Sequence, residues 1–74
     1  MSAEYVVVVE QSANGFAAYV PDLPGCVAAA VTRPETVALI REAIELHVES
    51  LQEAGEPVPP ATSTAERIVV YVAA

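Results

Sequence analysis

Seventy-four residues with a single cysteine make one small domain, residues 1–74, that buries only ~60% of its unfolded surface and holds no internal disulfide. The formal net charge is −7, with no lysine and only Arg33, Arg41 and Arg67 set against ten acids. That inventory excludes a phosphate-neutralising patch, and with it direct DNA or RNA binding.

No run of about 18 apolar residues marks a transmembrane helix, and the N-terminus lacks the basic start and apolar core of a signal peptide, so a cytoplasmic protein is expected. The acidity favours a basic macromolecular partner.

Ala3 to Gln11 reads as a first strand, because Tyr5 is followed by four valines, Val6 to Val9. Unbroken β-branched residues predict a central strand covered on both faces. Ser12-Ala13-Asn14-Gly15 predicts a hairpin turn with Asn14-Gly15 at positive φ. Phe16 to Val20 returns as the second strand, with Phe16, Ala18 and Val20 on one face and Ala17 and Tyr19 on the other. The run Pro21-Asp22-Leu23-Pro24-Gly25 then forms a rigid turn, in which Asp22 is expected to bond back to local backbone. Cys26 to Val31 is the third strand, thin in volume because Ala28 to Ala30 occupy its middle.

Thr32-Arg33-Pro34-Glu35 fits a capping box, with proline tolerated in the first turn. The helix is expected from about Arg33 to Ala54, ended by Gly55 and by Pro57 beyond it. Val37, Ile40, Ile44, His47 or Val48, and Leu51 form its apolar stripe, widened by Leu39 and Leu46. Glu42, Glu45, Glu49 and Glu53 fall on the opposite face. Glu56 to Thr64 is a connector stiffened by Pro57, Pro59 and Pro60. Ile68 to Val72 predicts a fourth strand, apolar on both faces. The fold class is therefore α+β, a two-layer β-β-β-α-β unit with sheet order 3-2-1-4 and one helix on one face.

One helix covers one face of such a sheet, yet Val6 to Val9 and Ile68 to Val72 are apolar on both. Burying a valine or isoleucine fully is worth ~1.5–3 kcal/mol, so a second protein surface is expected to cover the rest. A second copy about a two-fold axis is the simplest cover, giving a homodimer or a dimer of dimers. Substituting Val70 by lysine is expected to disrupt that assembly.

Catalytic groups are scarce. His47 sits near the apolar stripe, Asp22 is the sole aspartate, and Cys26 has no lysine or helix N-terminus beside it, so it reads as a small hydrophobe. Two-metal phosphoryl chemistry needs converging carboxylates. The first strand offers only Glu4 and Glu10 at its ends, and no Gly-rich phosphate loop occurs. No enzyme activity, metal or cofactor is expected.

Tyr5 to Glu10, Gly15-Phe16, the P-D-L-P-G-C run at Pro21 to Cys26, Thr32, the long helix and Gly55-Glu56-Pro57-Val58-Pro59 together resemble the HicB-like antitoxin family, over about Tyr5 to Tyr71. The resemblance implies a truncated ribonuclease-H-like sheet. It also implies a type II antitoxin that binds and occludes a small basic messenger-RNA-cleaving toxin of the HicA type. Many family members add a C-terminal DNA-binding domain; this chain stops at Ala74, so that arm and autorepression by this chain alone are not expected. Ala30-Val31 stands before Thr32 where the family commonly has a glycine and an acid. That departure motivates the alternative, a solitary homo-oligomeric HicB-like module with no toxin. Candidate partner-binding residues are Phe16, Tyr19, Pro21, Asp22, Leu23, Pro24 and Gly25, with Ile68, Val70 and Val72 of the fourth strand. Each of these also has a plain structural reading, as hairpin core or sheet edge.

Overall fold

A two-residue turn starts the fold. In the computed structural model, which describes residues 2–73, β1 (Val8–Ser12) and β2 (Gly15–Tyr19) pair antiparallel about Ala13-Asn14. Ser12 stands opposite Gly15 and Val8 opposite Tyr19. No described non-glycine residue has positive φ, so Asn14 does not play the part expected of it. Gly15 is demanded by contact instead. A Cβ there would collide with the carbonyl oxygen of Ala30 and lie 3.0 Å from the Cα of Val31. β3 (Val27–Ala30) pairs antiparallel with β2, Phe16 opposite Ala30 and Tyr19 opposite Val27.

The α+β class, the β-β-β-α order and the 3-2-1 run of strands are as expected. The first strand is shorter than its valines suggest. Tyr5, Val6 and Val7 are half-buried but lie outside the ladder. Continuing the register would bring Val7 and Val6 opposite Val20 and Pro21. Val20 directs its N–H to the β3 side, donating to the Cys26 carbonyl at 3.2 Å, and the proline beyond it has no N–H to offer β1.

The fourth strand is a correction. Ile68 to Val72 form no strand and join no sheet among the described residues. β1 is therefore an edge strand, not a central one. The physical reason lies upstream, where the connector is tied to the β2–β3 turn and the chain leaves the body from that point. The radius of gyration is 14.7 Å, against ~11 Å for a compact chain of this length.

The helix α1 spans Arg33–Glu53. Thr32, in extended conformation, caps it by accepting from the Glu35 N–H at 3.3 Å, and its hydroxyl donates to the Glu35 carboxylate at 2.8 Å. Gly55 closes it with φ of 71° in a Schellman arrangement. The Glu56 N–H reaches the Leu51 carbonyl at 2.9 Å and the Gly55 N–H the Gln52 carbonyl at 3.1 Å.

The predicted stripe of α1 holds at Ile40, Ile44 and Val48, with His47 and Leu51 half-buried, but fails at its first residue and its margins. Thr36 and Ile40 are buried, with Ala43, Ile44 and Val48 packed against the core, whereas Val37, Leu39 and Leu46 are exposed. Thr36 tolerates burial because its hydroxyl donates to the Thr32 carbonyl at 2.8 Å, with the Phe16 carbonyl at 3.5 Å. The core is Ala18, Val20, Leu23, Cys26 and Ile40. α1 lies mainly over β2 and β3, leaving β1 thinly covered.

Gly15→Ala tests the close approach of the hairpin to β3. The added methyl should cost ~1–3 kcal/mol, lowering Tm by roughly 4–8 °C per kcal/mol in a domain this small. An unchanged thermal midpoint would show that the contact at Ala30 is not tight.

Candidate interaction surface

The turn between β2 and β3 is built around a buried plug. Leu23 is 0% exposed, between Val20 and Cys26, themselves buried. Three backbone bonds fold the segment over it: Leu23 N–H to the Val20 carbonyl at 3.1 Å, Cys26 N–H to the Leu23 carbonyl at 3.1 Å, and the Val20 to Cys26 bond already described. Gly25 takes φ of 83°, a conformation that side chains disfavour, although a Cβ there would meet open space. Pro21, Pro24 and Gly25 are exposed. Of the candidate residues in this run, Leu23 is a structural plug and the other exposed three form a rigid knuckle.

Asp22 bonds at long range, not within its own turn as expected. Its carboxylate accepts four hydrogen bonds from the connector 40 residues away and none from its own turn among those found. Oδ2 accepts from the N–H groups of Thr62 at 3.0 Å and Ser63 at 2.9 Å, and Oδ1 from their hydroxyls at 3.2 and 2.8 Å. The Ser63 amide and hydroxyl chiefly hold the Asp22 carboxyl below the usual aspartate range, with Thr62 adding to them against partial desolvation. A second tie runs from the Tyr5 hydroxyl to the Pro59 carbonyl at 2.6 Å. Two adjacent hydroxyl residues after a proline run were the available signal, but nothing local names their acceptor.

Strand pairing separates Phe16 from Tyr19. Phe16 lies on the helix side with Ala18 and Val20, while Tyr19 lies on the outer face in register with Val8 and Val27. Tyr19 is 41% exposed, Val27 more so, and Val8 half-buried, so an apolar stripe crosses the uncovered face. Glu10, opposite Ala17 and in line with Ala29, sets an acidic group beside it. Glu42, Glu45, Glu49 and Glu53 lie along α1, all four exposed. Ile68, Val70 and Val72 stand apart from this face in an unpaired segment, Ile68 to Val72, whose residues are 71 to 98% exposed. Val7, Val9, Val37 and Ile40 line an open groove of about 370 Å³ on the helix side of β1, with Arg33 and Arg41 at its walls.

Nucleophilic chemistry has little to work with. Cys26 is buried, and burial pushes its thiol up from the usual range, away from the reactive thiolate. Among the described residues no three His, Cys, Asp or Glu side chains gather as metal ligands, and no helix is long and apolar enough to cross a membrane.

The lowered Asp22 pKa fixes the sign of a pH effect. Because the folded value lies below the unfolded one, the clamp contributes fully above the ordinary aspartate pKa and is lost as pH falls through the depressed value. The Thr62 and Ser63 amide resonances should therefore move together with Asp22 at a pH below ordinary aspartate titration. In Asp22→Ala they should shift at neutral pH while the α1 amides stay in place. Unmoved Thr62 and Ser63 resonances in that variant would remove the clamp.

The comparisons agree with this geometry. Residues 5–70 match the family described as HicB_like antitoxin of bacterial toxin–antitoxin system. A UPF0150 protein of Thermoplasma acidophilum is 35% identical over 69 residues, covering 92% of this chain and 97% of that protein. An uncharacterized 14.9 kDa protein of Haemophilus phage HP1 is 36% identical over 55 residues, which are 74% of this chain but only 41% of the phage protein. Among solved structures, a chain in "HicA3 and HicB3 toxin-antitoxin complex" superposes with a TM-score of 0.68 at 32% identity, over 80% of this chain and 70% of that one. With its hairpin, knuckle and capped helix all inside the matched span, this chain belongs to the HicB-like antitoxin family.

Proposed function

We propose that this chain neutralises a small, basic, messenger-RNA-cleaving toxin of the HicA type by covering its working surface, without catalysis of its own. The observation that carries this reading is the superposition on a chain of the HicA3 and HicB3 complex at a TM-score of 0.68 and 32% identity. The charge agrees with it: a net −7 attracts a basic partner, speeds encounter and fixes orientation more than it adds affinity.

The face assigned to the toxin is the uncovered side of the sheet. Val8, Tyr19 and Val27 offer an apolar centre there, Glu10 an acidic margin, and the Pro21–Gly25 knuckle stands at the end of β2. An aromatic anchor ringed by polar groups is the usual form of an energetic hot spot. Phe16 lies half-buried on the helix side, Leu23 serves the fold, and Asp22 is occupied in the clamp.

Co-expression with a small basic protein encoded beside this one tests the reading. The expected outcome is a co-purifying complex and rescue of growth from the toxin. Tyr19→Ala should weaken that complex by roughly thirtyfold, a 2 kcal/mol hot spot, with the fold intact because Tyr19 lies outside the core. Added salt should slow association. No complex and no rescue with the wild-type chain would overturn the proposal.

A further inference from the structure

Residues 66–72 form an arm whose state needs an explanation. Ile68, Val69, Val70, Tyr71 and Val72 are five consecutive strand-forming residues, 71 to 98% exposed. The Asp22 clamp holds Thr62 and Ser63 to the body, so the arm has a fixed root and is not a loose end from Pro57 onward. From that root it points outward. The long dimension of the chain is 53 Å, whereas α1, the longest element of the body, accounts for ~32 Å at 1.5 Å per residue.

The body meanwhile has two vacancies that match a strand. The outer edge of β1 is unpaired, since among the described residues β1 pairs only with β2. Beside it, on the helix side, lies the groove of about 370 Å³ walled by Val7, Val9, Val37 and Ile40. An exposed apolar edge next to an exposed apolar strand is a pairing site.

We infer that the arm of one copy adds to the β1 edge of a second copy, and that the exchange is mutual about a two-fold axis. Charge selects a second copy. The arm carries one acid, Glu66, and one base, Arg67, so it is neutral within a chain of net −7. It is the apolar part that can enter another acidic body without adding repulsion. The groove it enters is flanked by Arg33 and Arg41, two of the chain's three cations. Period-two alternation divides the arm into Ile68, Val70 and Val72 on one side and Val69 and Tyr71 on the other. The aliphatic set fills the groove under the partner's helix. Tyr71 then lies on the outer face, where its hydroxyl keeps access to water. Exchange of an identical element needs no new surface, because each copy supplies both the strand and the slot.

The test uses the purified chain alone, so it stands or falls separately from the toxin reading. Isotope-filtered NOEs are recorded on an equal mixture of labelled and unlabelled chain. The expected result is a dimer with intermolecular contacts from the Val70 methyls to those of Val9 and Ile40. Val70→Lys, at an exposed position outside the core, should raise the dimer dissociation constant by roughly tenfold or more. A monomer overturns the inference, whether its arm is free or folded onto its own β1. So does a dimer lacking those intermolecular contacts, or one unmoved by Val70→Lys.

Discussion

A carboxylate 40 residues away from its donors fixes the course of the connector. Asp22 takes four hydrogen bonds from Thr62 and Ser63, which ties the connector to the rigid β2–β3 turn. The body before that point is closed: Leu23 plugs the turn, Ile40 and Thr36 of α1 seal it, and the Schellman bonds at Gly55 turn the chain back. The residues beyond the clamp, Ile68 to Val72, pair with no strand of the sheet and stay exposed. On the function proposed above, an acidic, apolar-edged chain of this kind would act through contact with other polypeptides.

The two proposed contacts use different surfaces, and the sheet separates them. β1 to β3 present Val8, Tyr19 and Val27 outward, and Val9, Ala18 and Ala28 towards the helix. A toxin on the outer face and an exchanged arm in the groove on the helix side do not compete for the same side chains. Their joint presence would continue the partner's sheet by one strand, widening the outer face with Val69 and Tyr71. Covering the arm also removes five apolar residues from water, a large gain for a domain with only five buried apolar residues among those described.

What could be read from the sequence was mostly local. Thr32 and Glu35, and Gly55 before Pro57, declare the two ends of α1 because capping is decided within four residues. The alternation of Phe16, Ala18 and Val20 against Ala17 and Tyr19 places the faces of β2 correctly. The failures are non-local. Ile68 to Val72 has every strand preference, but preference does not say which edge receives the strand. Asp22 read as a local turn former because its real donors lie far along the chain. Ile40, Ile44 and Val48 of the helix stripe pack as expected, but Leu39 and Leu46 widened it wrongly towards solvent, and in place of Val37 a threonine, Thr36, holds the buried position by returning its hydroxyl to Thr32. The site was legible as a turn and an acidic surface; which face of β2 meets α1, and so that Tyr19 and not Phe16 lies on the uncovered side, required the packing.

Another protein molecule, on this account, covers the apolar residues beyond the clamp. The solution mass of the purified chain, by sedimentation equilibrium at micromolar concentration, tests that most directly. The account predicts a discrete species of twice the chain mass or an even multiple of it. A single species at the mass of one chain, stable and soluble with Ile68 to Val72 in water, would contradict it.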